Sequence, residues 1–95
     1  MAIYLDREGV ETCVSAISKQ IEALQSAASS IDSTITGEMG NYWSGSSYDK
    51  TQTTYSEEYQ TMLTTTIPEM VEQLNDFINS CKEAIVQVDE QLAGG

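Results

Sequence analysis

The chain has 95 residues, 15 of them acidic against 4 basic, with no histidine and a formal net charge of −11. That balance argues against binding nucleic acid or an anionic lipid surface, and dispersed acids of this kind serve solubility or a charge-complementary partner. The length allows one small domain whose own core hides only a modest share of its apolar surface, so support from another chain is expected.

The opening Met1-Ala2-Ile3-Tyr4-Leu5-Asp6-Arg7-Glu8 lacks the basic start and apolar middle of a secretory signal. No stretch reaches the roughly 18 apolar residues of a membrane span. A soluble chain is expected, and any export would be unconventional.

The first helix is expected over about residues 7–37. From Val10 the apolar residues Val14, Ile17, Ile21, Leu24, Ala28, Ile31 and Ile35 alternate steps of four and three, which is a heptad seam. Asp6 suits the N-cap, Glu8 the positive end of the dipole, and Leu5 with Val10 a hydrophobic staple. Serines fill the outer face, so packing must hold this helix more than propensity does.

The pattern stops over about 38–45. Gly37, Gly40, Gly45 and Asn41 can supply the positive φ of a reversal. Ser46-Ser47-Tyr48-Asp49 fits the spacing of a capping box and starts a second helix over about 46–91.

The second stripe runs through Tyr48, Tyr55, Tyr59, Met62 or Leu63, Ile67, Met70, Leu74, Phe77, Cys81, Ala84 and Val88, widened by Val71, Ile78, Ile85 and Leu92. Beyond Ile67 that width leaves apolar surface facing away from the first helix, as packing against a further helix requires. The steps Tyr59, Leu63, Ile67 form a stutter, and Pro68 removes a helical hydrogen bond, so a kink or break is expected near residues 64–67. The run Thr64-Thr65-Thr66 could cap a restarted helix.

Cys13 and Cys81 are too few for a disulfide scaffold, and each reads as a small hydrophobe on a helix. In an antiparallel hairpin they fall roughly 18 Å out of step at about 1.5 Å per residue, too far for a disulfide.

Catalytic chemistry has little footing. There is no histidine for a general base, and no serine lies in a nucleophile elbow. Carboxylates at Glu57 and Glu58, at Glu69, Glu72 and Asp76, or at Asp89 and Glu90 are most simply a solvated helix surface and not metal ligands. No enzyme activity, cofactor or metal is expected.

Trp43, the single tryptophan, sits in the turn, where an exposed indole is costly at roughly 25 cal/mol per Å². It reads as a plug that closes the helix pair, or else as a docking feature at that end. Tyr48, Tyr55 and Tyr59 beside it read as packing with polar tips.

Trp43-Ser44-Gly45 near the middle of a short acidic chain, between two amphipathic heptad helices, resembles the WXG (ESAT-like) family of type VII secretion. The resemblance implies an all-α helix-turn-helix hairpin of two long antiparallel helices that dimerises into a four-helix bundle. It implies a homodimer, or a heterodimer with another WXG-like hairpin, made in the bacterial cytoplasm. Export without a cleaved signal by a membrane-bound ATPase follows, with a role in virulence or bacterial competition.

By the same resemblance, the turn motif is Trp43 and Gly45. The C-terminal export signal falls on Ile85, Asp89 and Leu92, or on Val86 and Glu90, where no tyrosine or phenylalanine leads the pair. The partner interface draws on Val14, Ile17, Ile21, Leu24, Val71, Leu74, Ile78 and Ile85. Two further readings stay open: a targeting chaperone for the helical leader of a larger toxin, and a membrane-active helical protein, which the acidity disfavours.

Overall fold

The computed structural model describes residues 4–94, so Met1, Ala2, Ile3 and Gly95 lie outside the described residues. Helix α1 spans Arg7–Thr36, a short 3-10 turn spans Glu38–Asn41, and helix α2 spans Ser46–Thr54. Two π-helical turns, Tyr55–Tyr59 and Met62–Thr66, carry the chain from α2 into helix α3, Ile67–Gly94. The molecule is all-helical among the described residues and elongated, 71 × 20 × 17 Å.

α1 begins where the sequence provides an acceptor: Asp6 takes the Gly9 N–H at 3.0 Å, satisfying a donor that the first turn leaves without a helical partner. At the other end Gln52 Nε2 donates to the Ile35 carbonyl at 2.7 Å. A side chain of α2 thereby takes up one of the last carbonyls of α1 and ties the two arms together beside the turn.

The capping box at residue 46 does not form. The N-cap of α2 is Gly45, with φ 113° and no side-chain cap bond, and its carbonyl instead accepts the Asp49 N–H at 3.0 Å. Gly45 is also the single positive-φ position among the described residues, so Gly37, Gly40 and Asn41 do not supply the reversal. A Cβ at Gly45 would meet nothing within 4 Å; the glycine serves backbone conformation, not close approach. Gly40 differs, because a Cβ there would lie 2.9 Å from the Tyr48 hydroxyl oxygen.

No break occurs before Pro68, and the threonines cap no restarted helix. The Ile67 N–H bonds to the Met62 carbonyl five residues back, so the widened turn shifts the bonding pattern just ahead of the residue that has no N–H to give. α3 runs to Gly94, three residues past the end expected at about 91.

The hairpin core is a cluster of Val14 and Ile21 from α1 with Ile78 and Ile85 from α3, flanked by Leu5, Val71, Leu74 and Cys81. Ala28 and Tyr55 extend the buried line toward the turn. The open end carries an ion pair, in which Arg7 Nη1 donates to Asp89 Oδ2 while its Nε donates to Glu11 at 2.8 Å.

Candidate interaction surface

On α1 the heptad seam divides into two rows of different fate. Val14, Ile21 and Ala28, seven apart, are buried against α3. Val10, Ile17, Leu24 and Ile31, also seven apart, stay 37–48% exposed. α3 divides in the same way: Ile78 and Ile85 are buried and Val71 half-buried, while Met70 and Phe77 stand out at 46% and 59%. The row taken from the sequence as merely widening the second stripe is therefore the one that meets α1, and Met70 and Phe77 face away.

Both exposed rows are displaced in the same rotational sense from the buried rows, that of α1 three residues on and that of α3 one residue back. Because the helices run antiparallel, that sense carries both rows to one side of the hairpin. The opposite side carries the charged residues. There Arg7, Glu11, Ser15 and Ser18 of α1 and Lys82 of α3 border a groove that also reaches the apolar Val14, Ile85 and Val86.

The apolar side carries no charge over residues 9–34 of α1 or on the facing rows of α3 from Met70 to Val88. Beside the four apolar residues of α1 run Cys13, Gln20, Ala27 and Thr34, and beside Met70 and Phe77 run Gln73, Ser80 and Gln87, all exposed. The acids of α1 keep to the groove side, in the seven-spaced rows Glu8 with Glu22 and Glu11 with Asp32. Those of α3 lie there or on its outer back, where Glu69, Asp76, Glu83 and Glu90 are all exposed. A chain of net charge −11 has thus cleared one face of charge. Toward the turn a shallow depression is lined by Ile35, Met39, Thr54 and Tyr59 together with Lys50, so the absence of charge does not extend to that end.

Of the residues assigned to a partner interface, Val14, Ile21, Ile78 and Ile85 belong to the hairpin's own core, with Val71 and Leu74 packed against it. Ile17 and Leu24 are on the exposed row. Val10, Ile31, Met70 and Phe77 are added to that surface by the structure; the seven-residue spacing within each row is the signal that marks them.

Of the two export-signal registers, Ile85 is 6% exposed and Asp89 is held by Arg7. Val86, at the edge of the groove, and Glu90, on the outer back of α3, are both exposed, as is Leu92.

Trp43 does not plug the hairpin. Its ring leans on Tyr48, with centroids 5.6 Å apart and planes tilted by 60°, and 38% of the residue stays exposed. The three tyrosines diverge as well: Tyr55 is buried, Tyr48 half-buried and Tyr59 exposed. The π turn between Tyr55 and Tyr59 accounts for this, since one extra residue in the turn moves the inward position from Tyr59 to Gln60. Gln60 Nε2 and the Tyr55 hydroxyl then both donate to Asp32 Oδ1, at 3.1 and 2.6 Å. Burial and that carboxylate push the Tyr55 pKa up to about 12.

Cys13 is exposed and Cys81 half-buried beside the core, both as free thiols. Only Cys81 behaves as the small hydrophobe expected of each. Among the described residues no three acidic or thiol side chains converge as a metal site would need, and no helix is long and apolar enough to cross a membrane. No family model matches the chain, and no curated protein and no solved structure is significantly similar to it.

Proposed function

We propose that this hairpin is a protein-interaction module of a type VII (WXG-type) secretion system, acting through the uncharged side of the α1–α3 pair. The observation that carries the reading is the clearing of that face: Val10, Ile17, Leu24 and Ile31 with Met70 and Phe77 are exposed, while every acid of the two helices lies elsewhere. A face that is only solvated has no use for such a segregation in so acidic a chain, and a contiguous apolar patch marks a site of association. Trp43-Ser44-Gly45 at the reversal adds the resemblance to WXG hairpins and, with it, the export reading.

In this reading the partner is a helical hairpin, and the export ATPase recognises the C-terminal end of α3. Burial of Ile85 and engagement of Asp89 by Arg7 leave Val86 and Glu90 as the accessible pair. The weakness of that pair as a signal favours a second reading, in which the hairpin escorts a larger protein whose helical leader completes the signal.

The test is export from the bacterium that makes the chain, with and without its membrane-bound secretion ATPase. Appearance in the medium that depends on the ATPase, and is lost in Phe77→Glu, supports the reading. Release that ignores the ATPase removes the secretion role.

A further inference from the structure

We infer that Arg7 is a releasable clasp on the end of α3: it holds residues 86–94 against α1 while it engages Asp89, and those turns come free when the pair breaks. The inference rests on the interaction-module reading, in which the export ATPase recognises that end of α3, and adds its regulation.

Packing leaves the segment to the clasp. The buried cluster stops at Ile85 on α3, and from Val86 to Leu92 no residue is buried; Val88 and Asp89 are half-buried and the rest exposed. Local electrostatics oppose the segment as well. The last turn of α3 contains no basic residue, and Asp89 and Glu90 lie within about a turn and a half of the negative end of the helix dipole, an unfavourable place for acids. Arg7, the first residue of α1, is in the mirror position, a cation at a positive end. The antiparallel hairpin brings the two misplaced charges together, and Arg7 Nη1 donates to Asp89 Oδ2. Each thus stands at the favourable end of the other's helix, so a single contact offsets both placements.

The clasp is built to release. The Arg7 and Asp89 side chains are 45% and 43% exposed, so water and salt ions reach the pair, and its strength is that of a surface ion pair. Glu11, one turn on, accepts from Arg7 Nε at 2.8 Å, so the guanidinium keeps a carboxylate when Asp89 leaves. α1 does not follow, because Leu5 packs on the shared cluster and Asp6 accepts the Gly9 N–H at 3.0 Å. Release therefore frees α3 alone and makes Asp89 available beside Val86, Glu90 and Leu92.

The test follows hydrogen exchange in the whole chain, helicity being checked by circular dichroism, for the native sequence, Arg7→Gln, and the charge-swapped Arg7→Glu with Asp89→Arg. Amides 88–92 should exchange roughly two- to fivefold faster in Arg7→Gln, and the native chain should approach that rate at about 1 M salt. The swapped chain should regain native protection, while amides around Ile78 stay unchanged throughout. Equal exchange at 88–92 in the native chain and Arg7→Gln would overturn the clasp. A loss of protection that reaches Ile78 equally would also overturn it, since the pair would then stabilise the whole hairpin and not its end. ATPase-dependent release should rise in Arg7→Gln, and release equal to the native level with the end freed would overturn the regulation. Native release that ignores the ATPase would remove the regulation together with the secretion role, and exchange alone would then decide the clasp.

Discussion

The Tyr55 hydroxyl donates to Asp32 Oδ1 at 2.6 Å, joining the π-helical turn of the second arm to α1, and Gln60 reaches the same oxygen. This contact fixes the rotation of the second arm where α2 gives way to α3. Removing the hydroxyl with Tyr55→Phe should lower the melting temperature by several degrees, since a charge-assisted bond is lost and Asp32 keeps only Gln60. Thermal unfolding followed by circular dichroism measures it, and an unchanged midpoint would show that the contact does not hold the arms.

The same contact sets a pH dependence. With its pKa pushed up to about 12 from 10.0, Tyr55 keeps its proton in the folded chain after the unfolded chain has lost it. Stability from this group is therefore complete below pH 10 and falls as pH rises toward 12. Denaturant midpoints across that alkaline range should decline in the native chain and decline less in Tyr55→Phe.

At the reversal, Gly45→Ala should cost about 2 kcal/mol, because φ 113° with ψ −176° is open almost solely to glycine. Gly40→Ala should cost less, since the Tyr48 hydroxyl it would crowd ends a side chain that can tilt. Trp43→Ala should cost about 1–2 kcal/mol, below the roughly 3 kcal/mol of a fully buried ring, since 38% of the residue is already exposed. Chemical denaturation of the three variants ranks them, and an equal loss at Gly40 and Gly45 would contradict the conformational role given to Gly45.

Pro68→Ala should stabilise the chain by on the order of 1 kcal/mol. That is only a fraction of the roughly 3 kcal/mol an interior helical proline costs, because the π turn at Met62–Thr66 already absorbs the missing bond. Hydrogen exchange should show amides 61–67 opening before those around Ile78 in the native chain, with the gap narrowed in the variant. Uniform protection along the second arm would contradict this.

The all-helical character was legible because a period of four and three survives in every part of α1 and α3. Which row of each seam would face inward was not. Val71, Ile78 and Ile85 and their neighbours Met70 and Phe77 are equally apolar, and only the angle at which α3 meets α1 chooses between them. The Asp32, Tyr55 and Gln60 contact was hidden for a different reason: a π turn displaces Tyr59 by one residue, and the stutter read from the sequence begins only at Tyr59, after that turn. Trp43 was overread, because a turn tryptophan can lean on a neighbouring ring, here Tyr48, and stay partly exposed without closing the bundle.

The central claim is that the hairpin is held together by one row of each seam and joined to a partner by the other. Ile78, 3% exposed, and Phe77, 59% exposed, are adjacent residues on opposite sides of that division. The most direct measurement is unfolding free energy together with solution mass for Ile78→Ala and Phe77→Glu. Ile78→Ala should lose roughly 3 kcal/mol of stability. Phe77→Glu should remain helical, and any complex the native chain forms should fall to the 10.4 kDa of the single chain by light scattering. A Phe77→Glu chain that unfolds, or that keeps the native mass and every partner of the native chain, would contradict the account.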